Sequence, residues 1–173
     1  MTDLATLANL AEIFGTLTIL GGFIFAILQI REFRAQRRQA VSVELLRSFQ
    51  GPDFGHAVNL VRELPDAISA EELRAKGAEH ERAAILITTT FETVGLVAFR
   101  EMASFELVRE LMGGIALVMW RKLEAWQWTV RDEQMQPSWG EWFQWLCEQL
   151  ERDSHEAESL PAYERFASWK PRK

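Results

Sequence analysis

The chain has 173 residues, room for one domain and an appendage, and 48% of them are apolar with 25% charged, so a folded core rather than disorder is expected. The formal net charge of −6 is unevenly spread: residues 1–30 hold two acidic and no basic side chains, residues 31–38 carry four arginines against Glu32, and residues 39–173 hold 15 basic and 22 acidic groups. A folded part that is acidic argues against nucleic-acid binding, and a single cysteine, Cys147, excludes an internal disulfide framework.

From Leu4 to Ile30 the only charged residue is Glu12. A helix rises about 1.5 Å per residue, so the uncharged run from Ile13 is long enough to cover a hydrocarbon core of about 30 Å. Its Ile, Leu and Phe side chains cover every direction of a helix, where a surface helix would show one stripe. A cleaved signal peptide would begin with basic residues and carry a shorter apolar stretch. A soluble central helix would need more chain to cover it than the 143 residues that follow. Residues 1–30 are therefore read as a transmembrane anchor. Residues 31–50 follow as a basic juxtamembrane helix, 51–153 as a cytoplasmic helical domain, and 154–173 as a polar tail. Arg31, Arg34, Arg37 and Arg38 lie where the positive-inside rule counts most, which places the N-terminus outside and the domain in the cytoplasm. They are the expected membrane-anchoring residues, with lipid headgroups as their partners.

Small residues recur along the span at Ala11, Gly15, Thr18, Gly22 and Ala26. Such spacing lets helix backbones approach closely in lipid and marks a candidate self-association face. Glu12 sits near the outer interface and can snorkel. Gly51-Pro52 then breaks the chain. A short helix is expected over 56–64, and the Ser69…Glu72 pair forms a capping box that opens another, stopped near Gly77. Residues 79–101 read as a long helix with Ala84, Ile87, Phe91, Val94 and Ala98 on one face. Its stretch 83–99 contains one charge, Glu92, so a second span is considered. A central carboxylate disfavours insertion by roughly 2.5–3.5 kcal/mol, and three consecutive threonines suit a soluble helix better. Glu92 is expected to pair with Arg131 or Arg100.

Ser104 can cap the next helix. Gly113-Gly114 permits a kink or the close approach of a neighbour, and the helix resumes through 115–130. Ser138 and Glu141 read as a second capping box, opening a helix to about Glu151. No stretch alternates with period two. The fold class is all-α: a single N-terminal transmembrane helix followed by a four- to five-helix cytoplasmic bundle.

Three stretches together resemble a bacterial family known only as a domain of unknown function. They are Ala11-Glu12-Ile13 through Gln29-Ile30-Arg31, Phe91-Glu92-Thr93-Val94-Gly95-Leu96, and Ser138-Trp139 through Trp142-Phe143-Gln144-Trp145-Leu146. The resemblance covers roughly residues 8–150. It implies small proteins with one N-terminal span and a cytoplasmic helical domain, and it brings no catalytic or binding residue.

Chemistry is sparse. His56, His80 and His155 lie in separate segments, and Glu151 with His155 reads as a solvated pair rather than a metal site. Cys147 on a Trp-rich helix reads as a small core residue, and no glycine-rich nucleotide motif occurs. No cofactor is expected. The tryptophans at 120, 126, 128, 139, 142 and 145 belong to two neighbouring helices. They read either as core and membrane-surface belt or as a docking groove, with Trp139, Trp142 and Trp145 as its candidate lining. The function expected is a membrane-anchored, non-catalytic interaction protein, an accessory subunit or self-associating scaffold. Its partners would be lipid and either a second copy or a larger membrane complex. An enzyme or ligand sensor with a Trp-lined pocket around Glu92 and an arginine is the alternative, and a pore built from a ring of spans is a third reading.

Overall fold

The structure is a computed structural model that describes residues 3, 12–30, 32, 33, 51–156 and 161–171. Among these residues every regular element is a helix. α1 is Glu12–Ile30, with a mean hydropathy of 2.1 and no part of it buried, and it is long and apolar enough to cross a membrane. The hydroxyls of Thr16 and Thr18 donate to the carbonyls of Glu12 and Phe14, each at 2.8 Å, so both polar groups are satisfied within the helix.

α2 is Pro52–Arg62. It begins four residues before the expected start because Pro52 occupies the first turn, where its missing N–H costs nothing. α3, Ala70–Ala75, opens with the expected capping box: Glu72 N–H donates to Ser69 Oγ at 3.2 Å and Ser69 N–H to Glu72 Oε2 at 3.1 Å. Gly77, at φ 105°, turns the chain into α4, Ala78–Phe99. Ser104 Oγ caps α5 by accepting from Leu107 N–H at 3.2 Å. α5 runs unbroken from Phe105 to Glu133, so Gly113-Gly114 makes no kink. Gly113 instead admits the side chain of Leu150, whose Cδ2 would lie 3.2 Å from a Cβ at that position. α6 is Glu141–Glu156 and α7 a single turn, Ala162–Arg165.

The core is built on α4, α5 and α6. Contacts from Phe91 to Phe143 and from Phe99 to Trp145 show α4 and α6 running the same way. Contacts from Trp120 to Phe143, Ala116 to Cys147 and Gly113 to Leu150 show α5 running against α6. Phe143 is the hub, stacked on Phe91 at 4.9 Å and edge-on to Trp120 at 5.2 Å. α2 covers this unit through Phe54 on Phe91. α3 and the turn before it lie on α5: Arg74 pairs with Glu133, and the N–H groups of Ala67 and Ile68 donate to the carbonyls of Arg121 and Lys122.

α4 also has the length and composition of a span, with a mean hydropathy of 1.4, but 44% of that stretch is buried inside the bundle. Ala84, Ile87, Phe91 and Val94 face the core, as their spacing predicts. α4 is the central helix of the domain.

Candidate functional site

The seam between α4 and α6 is set by two residues one turn apart. At Gly95 a Cβ would overlap the backbone carbonyl of Trp142, so only glycine lets α6 lie this close. One turn earlier, Glu92 Oε2 accepts from the backbone N–H groups of both Trp142 and Phe143, each at 3.0 Å. These are first-turn donors of α6 that no residue within the helix can satisfy. Glu92 is thus the N-cap of α6, supplied from a helix 50 residues away. The expected ion pair with Arg131 or Arg100 is corrected: Arg131 contributes only long-range attraction. The expected box at Ser138 is also replaced, because residues 137–140 form a turn and α6 starts at Glu141. Gly140 closes that turn at φ 66° against the side chains of Gln127 and Thr88.

Burial pushes the Glu92 carboxyl above the ordinary glutamate range, and the two N–H donors oppose this shift without cancelling it. Arg131 sits beneath the turn, 7% exposed. It donates from Nε to the Trp139 carbonyl at 2.6 Å and from Nη1 to Gln144 Oε1 at 2.8 Å, while its guanidinium lies 4.4 Å from the Trp128 ring centre. Burial lowers its pKa, opposed by attraction to Glu92 and Glu141. Both ionisable groups hold α6 in place.

Placing the first turn of α6 on Glu92 and Gly95 brings three rings together at the far end of α4. Phe99 lies 4.6 Å from Trp142 and 5.5 Å from Trp145, and the two indoles are 6.1 Å apart. Phe99 is about half exposed, and Leu96 and Met102 beside it also reach solvent. Next to the rings opens a groove of about 460 Å³, walled by the chain from Ala98 to Phe105 on one side and by Trp145 and Gln149 on the other. Its lining is mainly apolar, with Glu101 and Ser104 at its edge. The Ser104 hydroxyl at that edge accepts from Leu107 N–H and so caps α5.

Of the three tryptophans expected to line a groove, Trp145 lines this one beside Phe99, while Trp142 packs against both of those rings without lining it. Trp139 lies in the turn before α6, partly buried against the core. Trp120 and Trp126 are core residues and Trp128 is half exposed under Arg131. Cys147 is buried with its thiol against the Ala116 carbonyl at 3.7 Å, and burial pushes its pKa far up, which makes it inert. No three metal-ligating side chains converge among the described residues. Gly15, Thr18, Gly22 and Ala26 share α1, and space is open around Gly15 and Gly22. Ala11, Arg31, Arg34, Arg37 and Arg38 lie outside the described residues, as does the side chain of His155. The signals for the capping role of Glu92, and for Gly95 and Phe99, were present in the sequence. Glu92, the one charge between residues 83 and 99, lies three residues before Gly95, and Phe99 follows one turn later on the same side.

Fold and site together define a small all-α bundle that follows an exposed apolar helix and carries an aromatic groove at one end. The chain belongs to the family described as Domain of unknown function (DUF4760), whose match covers residues 16–150. That span takes in most of α1 and ends within α6. Neither the curated proteins nor the solved structures contain a match to it.

Proposed function

We propose that the protein is a non-catalytic interaction protein tethered to the bacterial inner membrane by α1, with its N-terminus outside and the bundle in the cytoplasm. The observation that carries this reading is the exposure of α1 along its whole length. Nineteen residues apolar on all sides stand clear of the bundle, and lipid is the solvent that such a surface requires. Orientation rests on the arginines at 31, 34, 37 and 38.

Gly15, Thr18, Gly22 and Ala26 give the span a face suited to pairing with another helix, and the groove at Phe99 and Trp145, with Trp142 packed beside it, gives the bundle a surface suited to a protein partner. The alternative of a ligand sensor or enzyme asked for a pocket lined by Glu92, tryptophans and an arginine. Glu92 and Arg131 are committed instead to holding α6 and the turn before it, which favours the interaction reading.

The test is purification of the native protein from membranes in mild detergent, with the mass and composition of the particle measured. A homo-oligomer or a defined complex is expected, with its yield of partner reduced when Trp145 is replaced by alanine. A monomer carrying nothing else, or a chain that stays soluble without detergent, overturns the proposal.

A further inference from the structure

Beyond the domain proper, residues 161–171 carry Tyr163, Phe166 and Trp169, three residues apart and 75%, 50% and 69% exposed. The segment was expected to be merely polar, yet it is the most aromatic exposed stretch after α5. It is also ordered onto the bundle. Arg165 pairs with Glu110 of α5 at 3.0 Å, its guanidinium lies 4.5 Å from the Phe166 ring centre, and Trp169 N–H donates to the Phe166 carbonyl at 2.9 Å. Its charge is reversed relative to the bundle before it. Residues 161–173 contain four basic side chains and one acidic, a net of +3, while residues 51–160 contain 10 basic and 20 acidic, a net of −10.

From these observations we infer that the 161–171 segment is a second membrane-contact element, seating its aromatic rings in the headgroup region of an anionic bilayer. The inference rests on the reading of α1 as a span. Aromatic rings with a polar edge settle at the boundary between hydrocarbon and water, and neighbouring lysine and arginine are drawn to anionic headgroups. The bundle itself, at −10, is repelled by the same surface, so the segment is the part of the domain able to approach it. A chain already held to the bilayer at one end keeps the segment near lipid at high effective concentration, so weak individual contacts suffice. A protein partner would take the rings as readily as lipid would, but the basic surplus selects an acidic surface, and the tether supplies one.

Residues 1–50 contain no tryptophan, which makes the idea measurable in the full chain. The protein is reconstituted into vesicles with brominated acyl chains, of phosphatidylcholine alone or with phosphatidylglycerol added, and tryptophan fluorescence is compared with that of Trp169→Phe. Quenching that depends on Trp169 is expected in the anionic vesicles, reduced at least about twofold in neutral vesicles or at raised salt, where headgroup attraction is absent or screened. No Trp169-dependent quenching in anionic vesicles, or equal quenching in both lipids, overturns the inference. Flotation of the same samples after alkaline carbonate treatment reads α1 separately. A chain that floats without Trp169 quenching removes this proposal alone, and one that does not float removes the span and this proposal with it.

Discussion

α1 and α4 satisfy the same criterion of length and apolarity, yet one is exposed throughout and the other lies at the centre of the bundle. The difference is in the placing of small and polar residues. In α4, Gly95 and Glu92 are both used by α6, one by leaving room and the other by accepting its first N–H groups. The threonine hydroxyls of the exposed side, Thr89 and Thr93, bond back to the helix itself. In α1, Gly21 and Gly22 have open space around them and the Ile, Leu and Phe side chains are exposed on every side. Hydropathy averages over these details. What separates the core helix from the exposed one is whether another helix packs on its glycine and uses its carboxylate.

The comparison is broken most forcefully at the rings. Phe91→Ala is expected to cost the bundle about 3–5 kcal/mol, because a buried ring stacked on Phe143 leaves a cavity. Phe23→Ala, at an exposed ring of α1, is expected to leave the unfolding of the bundle unchanged. Urea unfolding followed by tryptophan fluorescence reads both. Equal effects would mean that α1 packs on the bundle.

The glycines sharpen the contrast. Gly95→Ala is expected to cost about 1–3 kcal/mol, since α6 must move off the new methyl group, and Gly21→Ala nothing measurable in the same unfolding experiment. A stable Gly95→Ala variant would show the seam to be looser than its geometry.

The smallest effect is electrostatic. Burial raises the Glu92 carboxyl pKa above its unfolded value, so the native state holds that proton more tightly. The resulting contribution to stability is fully present below the unfolded glutamate pKa of about 4.3 and is lost as pH rises through the higher folded value. Glu92→Gln keeps an oxygen for the two N–H donors and is expected to flatten the stability profile of the bundle across that window. An unchanged profile would assign the pH dependence to other carboxylates.

Local signals were the legible ones. The Ser69 capping box, the Ser104 cap and the core face of α4 follow from residues three or four apart, and each is found where the spacing put it. The start of α6 was misplaced because Ser138 and Glu141 make a plausible local pattern, while the group that caps the helix comes from Glu92. The groove was partly legible: Trp145, which lines it, and Trp142 beside it share a helix face, but Phe99 arrives only through the parallel packing of α4 and α6. Trp139 looks equivalent in sequence and differs because the turn at Gly140 turns it away from that helical face.

The carboxylate of Glu92 ties the beginning of one helix to the middle of another. α6 takes the acceptor for its first-turn N–H groups from Glu92, so that turn is complete only where α4 already stands beside it. The aromatic groove inherits that dependence, since its α6 wall, Trp145 and Gln149, follows directly from the turn that is fastened. Whatever loosens α4 from α6 therefore erases the groove at the same moment, and the surface available to a partner exists only in the fully assembled bundle.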